Sequence, residues 1–521
     1  MHETQLWQLG FFMPCAKQGA GRRFAPRAIR LLNPDLRKSC LFVRLIVFNR
    51  LEKPMYRDPV QSLEPQSSPA DAVATRPLRV GMIGIGTVGA GTFRVLARNQ
   101  ADIAGRAGRG IKLVMVCARS LARAMSVVGT EVALTNDPMQ VATHPDVDVL
   151  VEAAGGTGPA RDWVLAAIRA GKHVVTANKA LLAVHGNEIF AAARQHGVAV
   201  AYEGAVAVSI PIVKALREGL VANRIEWVAG IINGTTNFIL SKMRDEGLGF
   251  AEALAQAQAL GYAEADPTFD IEGIDAAHKI TLLAANAFGM PVRFADAQVE
   301  GITRLQGLDV ACAEQLGFRI KLLGVARRRK DAAGGAEVDG VELRVQPALV
   351  PASHLLANVN GSMNAVLVKG DAAGVTMFYG AGAGSEQTAS AVIADLVDVA
   401  RLEGTRAAQR VPHLGFHPQA MNAQLAVLPR AAVFTRHYLR VPVQSAQQVE
   451  AIGAWLAAQQ VPVQRVELAC DKALPASSGP QVLVLTDAAT QATVDLAVHA
   501  LAAHPAVAGP VVTLRVEVLQ G

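Results

Sequence analysis

Between Ala257 and Lys279 the chain reads Ala-Gln-Ala-Leu-Gly-Tyr-Ala-Glu-Ala-Asp-Pro-Thr-Phe-Asp-Ile-Glu-Gly-Ile-Asp-Ala-Ala-His-Lys, which gathers Glu264, Asp270, Asp275 and Lys279 around one helix start. Asp275 and Lys279 are four apart, so a helix beginning at Ile274 stacks them one turn above each other on a single face. A carboxylate held beside an ammonium can position a lysine and tune it for proton transfer. An isolated Asp-x-x-x-Lys is ordinarily a solvated ion pair. By the same token Glu264 alone reads as an exposed helix-end acid, Asp270 as the N-cap of the helix that follows, and Asp266-Pro267 as turn chemistry. What lifts the group above that reading is the rest of the chain.

The elements that must position these side chains begin at Leu78. Leu-Arg-Val-Gly-Met-Ile is a short apolar strand running into Gly84-Ile-Gly86-Thr87-Val88-Gly89, and an amphipathic helix with Phe93, Val95 and Leu96 follows. A lone G-x-G-x-x-G is weak, but a strand before and a helix after are the context a dinucleotide loop requires. Glycines there let backbone amides at the helix start approach a pyrophosphate. The next strand, Ile111 to Cys117, ends in Ala118-Arg119-Ser120, where an NAD-specific fold would place an acid. A guanidinium suits a 2′-phosphate, so Arg119 favours NADP, with NAD still possible. Strands at Val147 to Glu152 and His173 to Thr176, separated by a helix from Pro159 to Ala170, complete a doubly wound pattern. Lys179 follows the last of these at its carboxyl end, where open α/β sheets bind ligands.

Composition narrows the class. The chain has 521 residues, enough for two or three domains, with 51% hydrophobic and only 5% aromatic residues. No segment approaches the roughly 18 uninterrupted apolar residues of a membrane span. The net charge of +6 is misleading, because residues 1–54 hold ten basic side chains against three acidic ones and the remainder is close to −1. The globular body therefore offers no electrostatic reason to expect nucleic acid or a membrane. The basic leader reads as a disordered tail or an over-long start ahead of Met55, joined through a Pro- and Ser-rich linker. Cysteines at 15, 40, 117, 312 and 470 show neither paired nor metal-ligand spacing, which fits a reduced, cytoplasmic setting.

These motifs, with Gly-Lys-His-Val-Val-Thr-Ala-Asn-Lys (171–179), Ile-Ile-Asn-Gly-Thr-Thr-Asn (231–237) and Tyr-Gly-Ala-Gly-Ala-Gly (379–384), strongly resemble the homoserine dehydrogenases from about Arg79 to Ala400. The resemblance implies NAD(P)-dependent interconversion of aspartate 4-semialdehyde and homoserine, in the biosynthesis of threonine, methionine and isoleucine. It assigns Lys279 as proton donor, Asp275 as the group that holds it, and Lys179 to the space between nicotinamide and substrate. Glu264 and Asp270 would grip the amino-acid end, with Gly234, Thr235 and Tyr262 completing that pocket. Gly261 and Gly384 would pass close to the cofactor, as would Gly84, Gly86, Thr87, Val88, Gly89, Arg119 and Lys179. A sodium ion would sit on the carbonyls of Glu203, Val206, Val208 and Ile210. Here the chain departs from the family, having Val208-Ser209 where two glycines are usual, and losing permissive residues bears on the loop's dihedrals. Gln387 replaces a usual proline at a helix start, at little cost.

The expected organisation is therefore a basic extension and linker (1–76), a Rossmann-type nucleotide domain (77–204, completed by helix 388–400), an α+β catalytic and dimerisation domain (205–428), and a ferredoxin-like, ACT-like domain (430–521). Expected helices in the middle domain are Pro211 to Glu218, Phe250 to Leu260 and Ile274 to Phe288, with strands Val341 to Ala348 and Ala365 to Gly370. A homodimer, or a tetramer, is implied. The β-α-β-β-α-β pattern past Pro429 lacks the usual Asp and Pro-Gly after its first strand, reading Val443-Gln444-Ser445-Ala446-Gln447 instead. Weak or absent control by threonine is expected, and inhibition of the purified enzyme at sub-millimolar threonine would sink that expectation. Two rivals remain at this stage. A reductase for another small aldehyde or keto acid is disfavoured by two carboxylates suited to an ammonium-bearing substrate. A nucleotide-binding sensor predicts loss of the proton donor, and Lys279 is present.

Overall fold

The computed structural model describes residues 76–333, 336–470 and 479–519, so the expectation for the basic leader lies outside the described residues. The first layer alternates strand and helix: β1 (Leu78–Ile83), α1 (Thr87–Arg98), α2 (Gln100–Ala107), β2 (Ile111–Cys117), α3 (Leu121–Val128), β3 (Ala133–Thr135), α4 (Pro138–Thr143), β4 (Val149–Glu152), α5 (Gly158–Arg169), β5 (His173–Thr176), α6 (Lys179–Gln195) and β6 (Val200–Ala201). All strand pairs are parallel, in the order β3-β2-β1-β4-β5-β6. Strand β4, Val-Leu-Val-Glu, is buried along its whole length, as a central parallel strand covered on both faces must be. The order reverses between β1 and β4, which opens a crevice at their carboxyl ends.

The second layer continues with α7 (Ile212–Lys214), β7 (Ile225–Ile231), α8 (Gly234–Asp245), α9 (Phe250–Ala259), α10 (Thr268–Ile271), α11 (Ile274–Phe288), β8 (Gln298–Val299), α12 (Gly307–Gln315), β9 (Phe318–Ala333), β10 (Ala336–Pro351), β11 (Met363–Gly370), β12 (Gly374–Ala381) and α13 (Ser385–Arg401). The helix expected over 211 to 218 is instead one α-turn followed by a π-helical stretch, Ala215–Gly219. Such an insertion of one residue per turn cannot be read from hydrophobic spacing. The strand expected over 341 to 348 is twice as long, because it pairs along its entire length with β9, a strand the sequence reading passed over.

Helix α11 carries Asp275 and Lys279 into the core. Every residue from Asp275 to Phe288 is buried, so it is a core helix rather than a surface one. It starts at Gly273, whose φ of +81° favours glycine and whose missing Cβ would lie 3.0 Å from Val345 Cγ1. Helix α13 packs on the first layer: Val392 and Leu396, both fully buried, lie with Val80, Met82 and Val95 in one cluster. Each contributes about 2 kcal/mol through burial.

The chain ends with β13 (Phe434–Pro442), α14 (Val449–Ala458), β14 (Val463–Leu468), β15 (Gln481–Thr486), β16 (Ala489–Thr490), α15 (Gln491–Ala502) and β17 (Val512–Val516). Their sheet order β17-β13-β15-β14 is that of a ferredoxin-like unit. The unit does not stand apart. Strand β17 pairs in parallel with β10, Ala348 opposite Arg515, so the two sheets merge into eleven strands. No helix among the described residues is long and apolar enough to cross a membrane.

Candidate active site

The helix α11 pair is not a solvated one. Asp275 and Lys279 are 4% and 6% exposed, and Lys279 Nζ lies 2.7 Å from Asp275 Oδ2. The same ammonium donates to the Ile232 carbonyl at 2.8 Å. Two of its three N–H donors are thereby engaged, and the third is left for the cavity that Lys279 lines. Lys179, the first residue of α6, reaches the other oxygen of the same carboxylate, Asp275 Oδ1, at 2.9 Å. One acid thus holds two lysines from two layers.

Asn233 organises the acids. It is the N-cap of α8, its Oδ1 accepting from Thr236 N at 2.9 Å. That fixes the amide so that Nδ2 donates to both Asp270 Oδ1 (2.8 Å) and Asp275 Oδ2 (2.9 Å). Asp270 does not cap α11, whose N-cap is Gly273. It sits in α10 and accepts from the Thr235 hydroxyl at 2.9 Å. That hydroxyl also lies 2.7 Å from the Tyr262 carbonyl. Asn233 was quoted within the 231–237 motif without a role. Its position ahead of Gly-Thr-Thr, an N-cap residue before a helix start, is the signal that could have found it.

Charges in this cluster are set by burial and by one another. Burial pushes Asp275 up, but Lys279 and Lys179 outweigh it and hold the carboxyl well below its ordinary range. Burial drives Lys279 down, further than Asp275 draws it up, and Lys179 adds repulsion. Lys179 is opposed by burial yet ends above its ordinary value, because Asp275 first and Asp270 and Glu264 beyond it favour the charge. Asp270 is raised by burial and by Asp275. His278, next to Lys279, packs between Phe269 and Phe294 with ring centroids 5.2 and 4.3 Å away, and burial pushes it down to about 4. It stays neutral and takes no part in the charge balance.

These groups line a cavity of about 570 Å³ that also exposes Gly234, Gly261, Tyr262, Glu264 and Phe269. Glu264 and Tyr262 are exposed at its rim. Asp266 lines it too, although its carboxylate is engaged by Thr268 N at 3.1 Å as turn chemistry. Phe269 and Ala381–Ala383 lie within the 257–279 and 379–384 motifs and had no role of their own in the sequence reading. The Phe269 ring lies 5.9 Å from Lys179 Nζ, close enough to restrict that flexible side chain.

The glycine loop lies at the crevice of the first layer. Gly86 is the N-cap of α1 with no side chain capping the helix, and a Cβ added there would meet nothing within 4 Å. The helix start is thus open to an anion, as a pyrophosphate site requires. Gly89 is needed for close packing, since a Cβ would fall 2.2 Å from the Gly84 carbonyl. Thr87 accepts at its carbonyl from Ser385 Oγ (2.6 Å), which ties the loop, with Val88, to the start of α13, where Gly384 is the N-cap at φ +137°. Across the crevice, buried Glu152 accepts from the amides of Ala154 and Gly155 at 2.9 Å each and from the Thr176 hydroxyl at 2.8 Å. Asn178 caps α6 and donates to the Gly156 carbonyl at 2.7 Å, which locks the turn that presents Lys179. Arg119 is exposed two residues past β2. These parts fit a nicotinamide dinucleotide.

The 203–210 segment keeps the glycine-like path at its departure from the family: Val208 has φ +55°, a left-handed conformation that is unusual for a β-branched residue. Glu203 is buried, its carboxylate accepting from Val213 N (3.0 Å) and Lys214 N (2.8 Å), its own amide donating to Asp395 Oδ2 (2.8 Å). Among the described residues no hydrogen bond is donated to the carbonyls of Val206 or Val208, whereas Glu203 O accepts from Val206 N at 3.4 Å and Ile210 O from Ile212 N at 2.8 Å. Free carbonyls in a buried loop suit a cation.

A parallel dinucleotide sheet, an open helix start and two lysines on one buried acid define an NAD(P)-dependent oxidoreductase acting on a CH–OH group. Family models agree: one described as homoserine dehydrogenase matches residues 211–397, and one described as the NAD binding domain of homoserine dehydrogenase matches 84–203. The homoserine dehydrogenase of Pseudomonas aeruginosa is 52% identical over 446 residues, 85% of this chain and 100% of that protein. That of Neisseria gonorrhoeae is 47% identical, over 85% of this chain and 99% of its own length. The crystal structure of a homoserine dehydrogenase from Thiobacillus denitrificans superimposes with a TM-score of 0.79 at 52% identity, covering 85% of this chain and 99% of that one. The chain belongs to the homoserine dehydrogenase family.

Proposed function

We propose that the chain interconverts L-homoserine and L-aspartate 4-semialdehyde with NADP, using Lys279 as the proton-transferring group. The single observation that supports this most is the engagement of Lys279: two of its donors are held by Asp275 and Ile232, and the third is free toward a cavity flanked by carboxylates. In the oxidation, neutral Lys279 accepts the hydroxyl proton; in the reduction, its ammonium returns that proton to the forming alkoxide. The bound nicotinamide supplies or takes the hydride. Asp275 keeps both lysines in place and stabilises their charge. Lys179, charged, stabilises the oxygen on its other side. Asp270 and Glu264 suit the substrate ammonium, and Gly234, Thr235 and Tyr262 shape the rest of the amino-acid pocket. Gly84, Gly86, Thr87, Val88 and Gly89 would hold the pyrophosphate, and Gly261 and Gly384 allow the cofactor to pass close to the backbone.

Two finer readings accompany this one. Arg119 at the end of β2 favours the 2′-phosphate of NADP, and the loop carbonyls of Glu203, Val206, Val208 and Ile210 would hold a sodium ion. One assay tests all three: homoserine-dependent reduction of NADP and of NAD, for wild type and Arg119→Asp, in sodium and in N-methylglucamine buffer. Wild type is expected to prefer NADP, Arg119→Asp to lose about tenfold or more of that preference, and sodium removal to lower activity. No activity with homoserine would refute the whole reading. An unchanged cofactor ratio would remove Arg119 from it, and indifference to sodium would remove the ion.

A further inference from the structure

Where β10 meets β17 the seam holds a ladder of buried charges in which Arg327, Arg329, Arg344, Glu342 and Glu517 each have an ion-pair partner. Arg344, fully buried on β10, pairs with Glu517 and lies 3.5 Å from Glu342; Arg327 faces Glu517 at 3.5 Å. Arg515 on β17 differs. It is 5% exposed, and its Nε donates to Gln491 Oε1 at 2.9 Å. Among the described residues no carboxylate lies within ion-pair distance of it, and neither terminal nitrogen of its guanidinium has a hydrogen-bond acceptor. Burial, with Arg344 beside it, pushes Arg515 down to about 9, which still leaves it charged at neutral pH. A guanidinium taken out of water without a counter-ion is destabilising, so this one is incomplete as it stands.

Arg515 lines a cavity of about 60 Å³ together with Gln346, His437, Gln491 and Thr513. Thr513 Oγ1 and His437 Nδ1 also lack partners. Two acids reach the cavity but neither neutralises Arg515. Asp495 accepts from Gln491 Nε2 at 2.7 Å and faces Arg430 at 3.7 Å, while Glu300 is exposed to water. The volume admits one carboxylate or one oxyanion. A neighbouring cavity of about 270 Å³ shares Glu300 and Arg430 and has room for the remainder of a small molecule.

We propose that Arg515, with the Thr513 hydroxyl, forms a binding site for a small oxyanion at the seam between the catalytic sheet and the C-terminal unit. The planar fork of arginine matches a carboxylate or an inorganic oxyanion, either of which completes the ladder. The site is separate from the active site and does not rest on the roles assigned there. Its position matters because the turn that contributes Glu300 also supports α10: Glu300 N donates to Val345 O and Ile302 N to Ile271 O, each at 2.8 Å, one residue beyond Asp270. An occupant is thus linked through one turn to an acid of the catalytic cavity.

Thermal melting of the full chain tests this, in chloride buffer and with sulfate or acetate replacing chloride at equal ionic strength. Wild type is expected to gain roughly 2–4 °C, saturably, beyond the gain of Arg515→Gln in the same anion. In chloride, Arg515→Gln should melt no lower than wild type, because it removes an unpaired buried charge. A response to acetate identifies a carboxylate occupant, and one to sulfate alone an inorganic oxyanion. Equal responses of wild type and Arg515→Gln, or none in either anion, overturn the proposal. If Arg515→Gln does not fold, calorimetric titration of wild type with both anions decides, absence of saturable heat being the overturning result.

Discussion

Lys279→Ala is expected to lower kcat for homoserine oxidation by about 10²–10⁴-fold while KM for homoserine changes by no more than a few-fold. The split follows from geometry: Lys279 is buried behind the acids that would hold the substrate's ammonium, and the bond it makes to the reacting oxygen tightens only as charge develops there. The pH dependence has a definite sign. Burial lowers Lys279 below the usual lysine value of about 10.4, so oxidation, which needs the neutral amine, rises with pH through that lowered value, and reduction, which needs the ammonium, falls through it. The variant should lose this limb of the profile. Lys279→Met keeps the volume of the stem and separates loss of the amine from collapse of the core. Lys179→Ala serves as the comparison, since Lys179 ends above its ordinary value and would act as a fixed charge; removing it should weaken transition-state binding without erasing the limb. A Lys279→Ala enzyme with full activity, or with an unaltered pH profile, would refute the proton-transfer role.

Asp275→Ala should be the most damaging single change in the site, costing about 3–5 kcal/mol of stability as well as activity. It removes the one counter-ion of Lys279 and Lys179 together, at 2.7 and 2.9 Å, and leaves the Asn233 amide with one acceptor in place of two. Asp275 is held below the unfolded carboxylate value of about 3.9, so its contribution is fully present above that pH and is lost as pH falls through the depressed folded value. Wild type and Asp275→Ala should therefore converge in stability only in acid, below about pH 4. Denaturant melts from pH 8 down to about pH 2 measure this. A constant difference over that range, or a cost under about 1 kcal/mol, would show that the acid is not the electrostatic keystone of the cavity. Asp275→Asn preserves the shape and is expected to recover part of the stability but little of the rate.

The first layer and helix α11 were legible because their signals are local. Glycine spacing, alternating strand and helix patterns and the helix start at Gly273 act over a few residues, and β2, β5 and α11 fall where the sequence placed them. Strand β9 was passed over because its second half runs through consecutive charged residues, Arg327-Arg328-Arg329-Lys330-Asp331, and its length is dictated by its pairing with β10. The π-helical stretch after α7 is a hydrogen-bond choice among nearly equal alternatives, which residue types do not decide. At Val208 the loss of glycine suggested a changed loop, yet the residue adopts φ +55° all the same. There tertiary context overrides local preference.

The same division runs through the site. Residue types and an i,i+4 spacing were enough to set Asp275 against Lys279 on one helix face, and a strand, three glycines and a helix were enough to mark the nucleotide loop. Whether that ion pair was a surface ornament or a buried catalytic device depended on which atoms came to surround it. The Ile232 carbonyl, 47 residues away, and the Asn233 amide, 42 residues away, reach it only because α11 packs against β7 and β9, and these two residues directly follow the end of β7. Lys179 arrives from another layer altogether. Water exclusion and the shared use of one carboxylate by two ammonium groups are properties of that packing, and they alone turn an ordinary pair into one with shifted proton affinities.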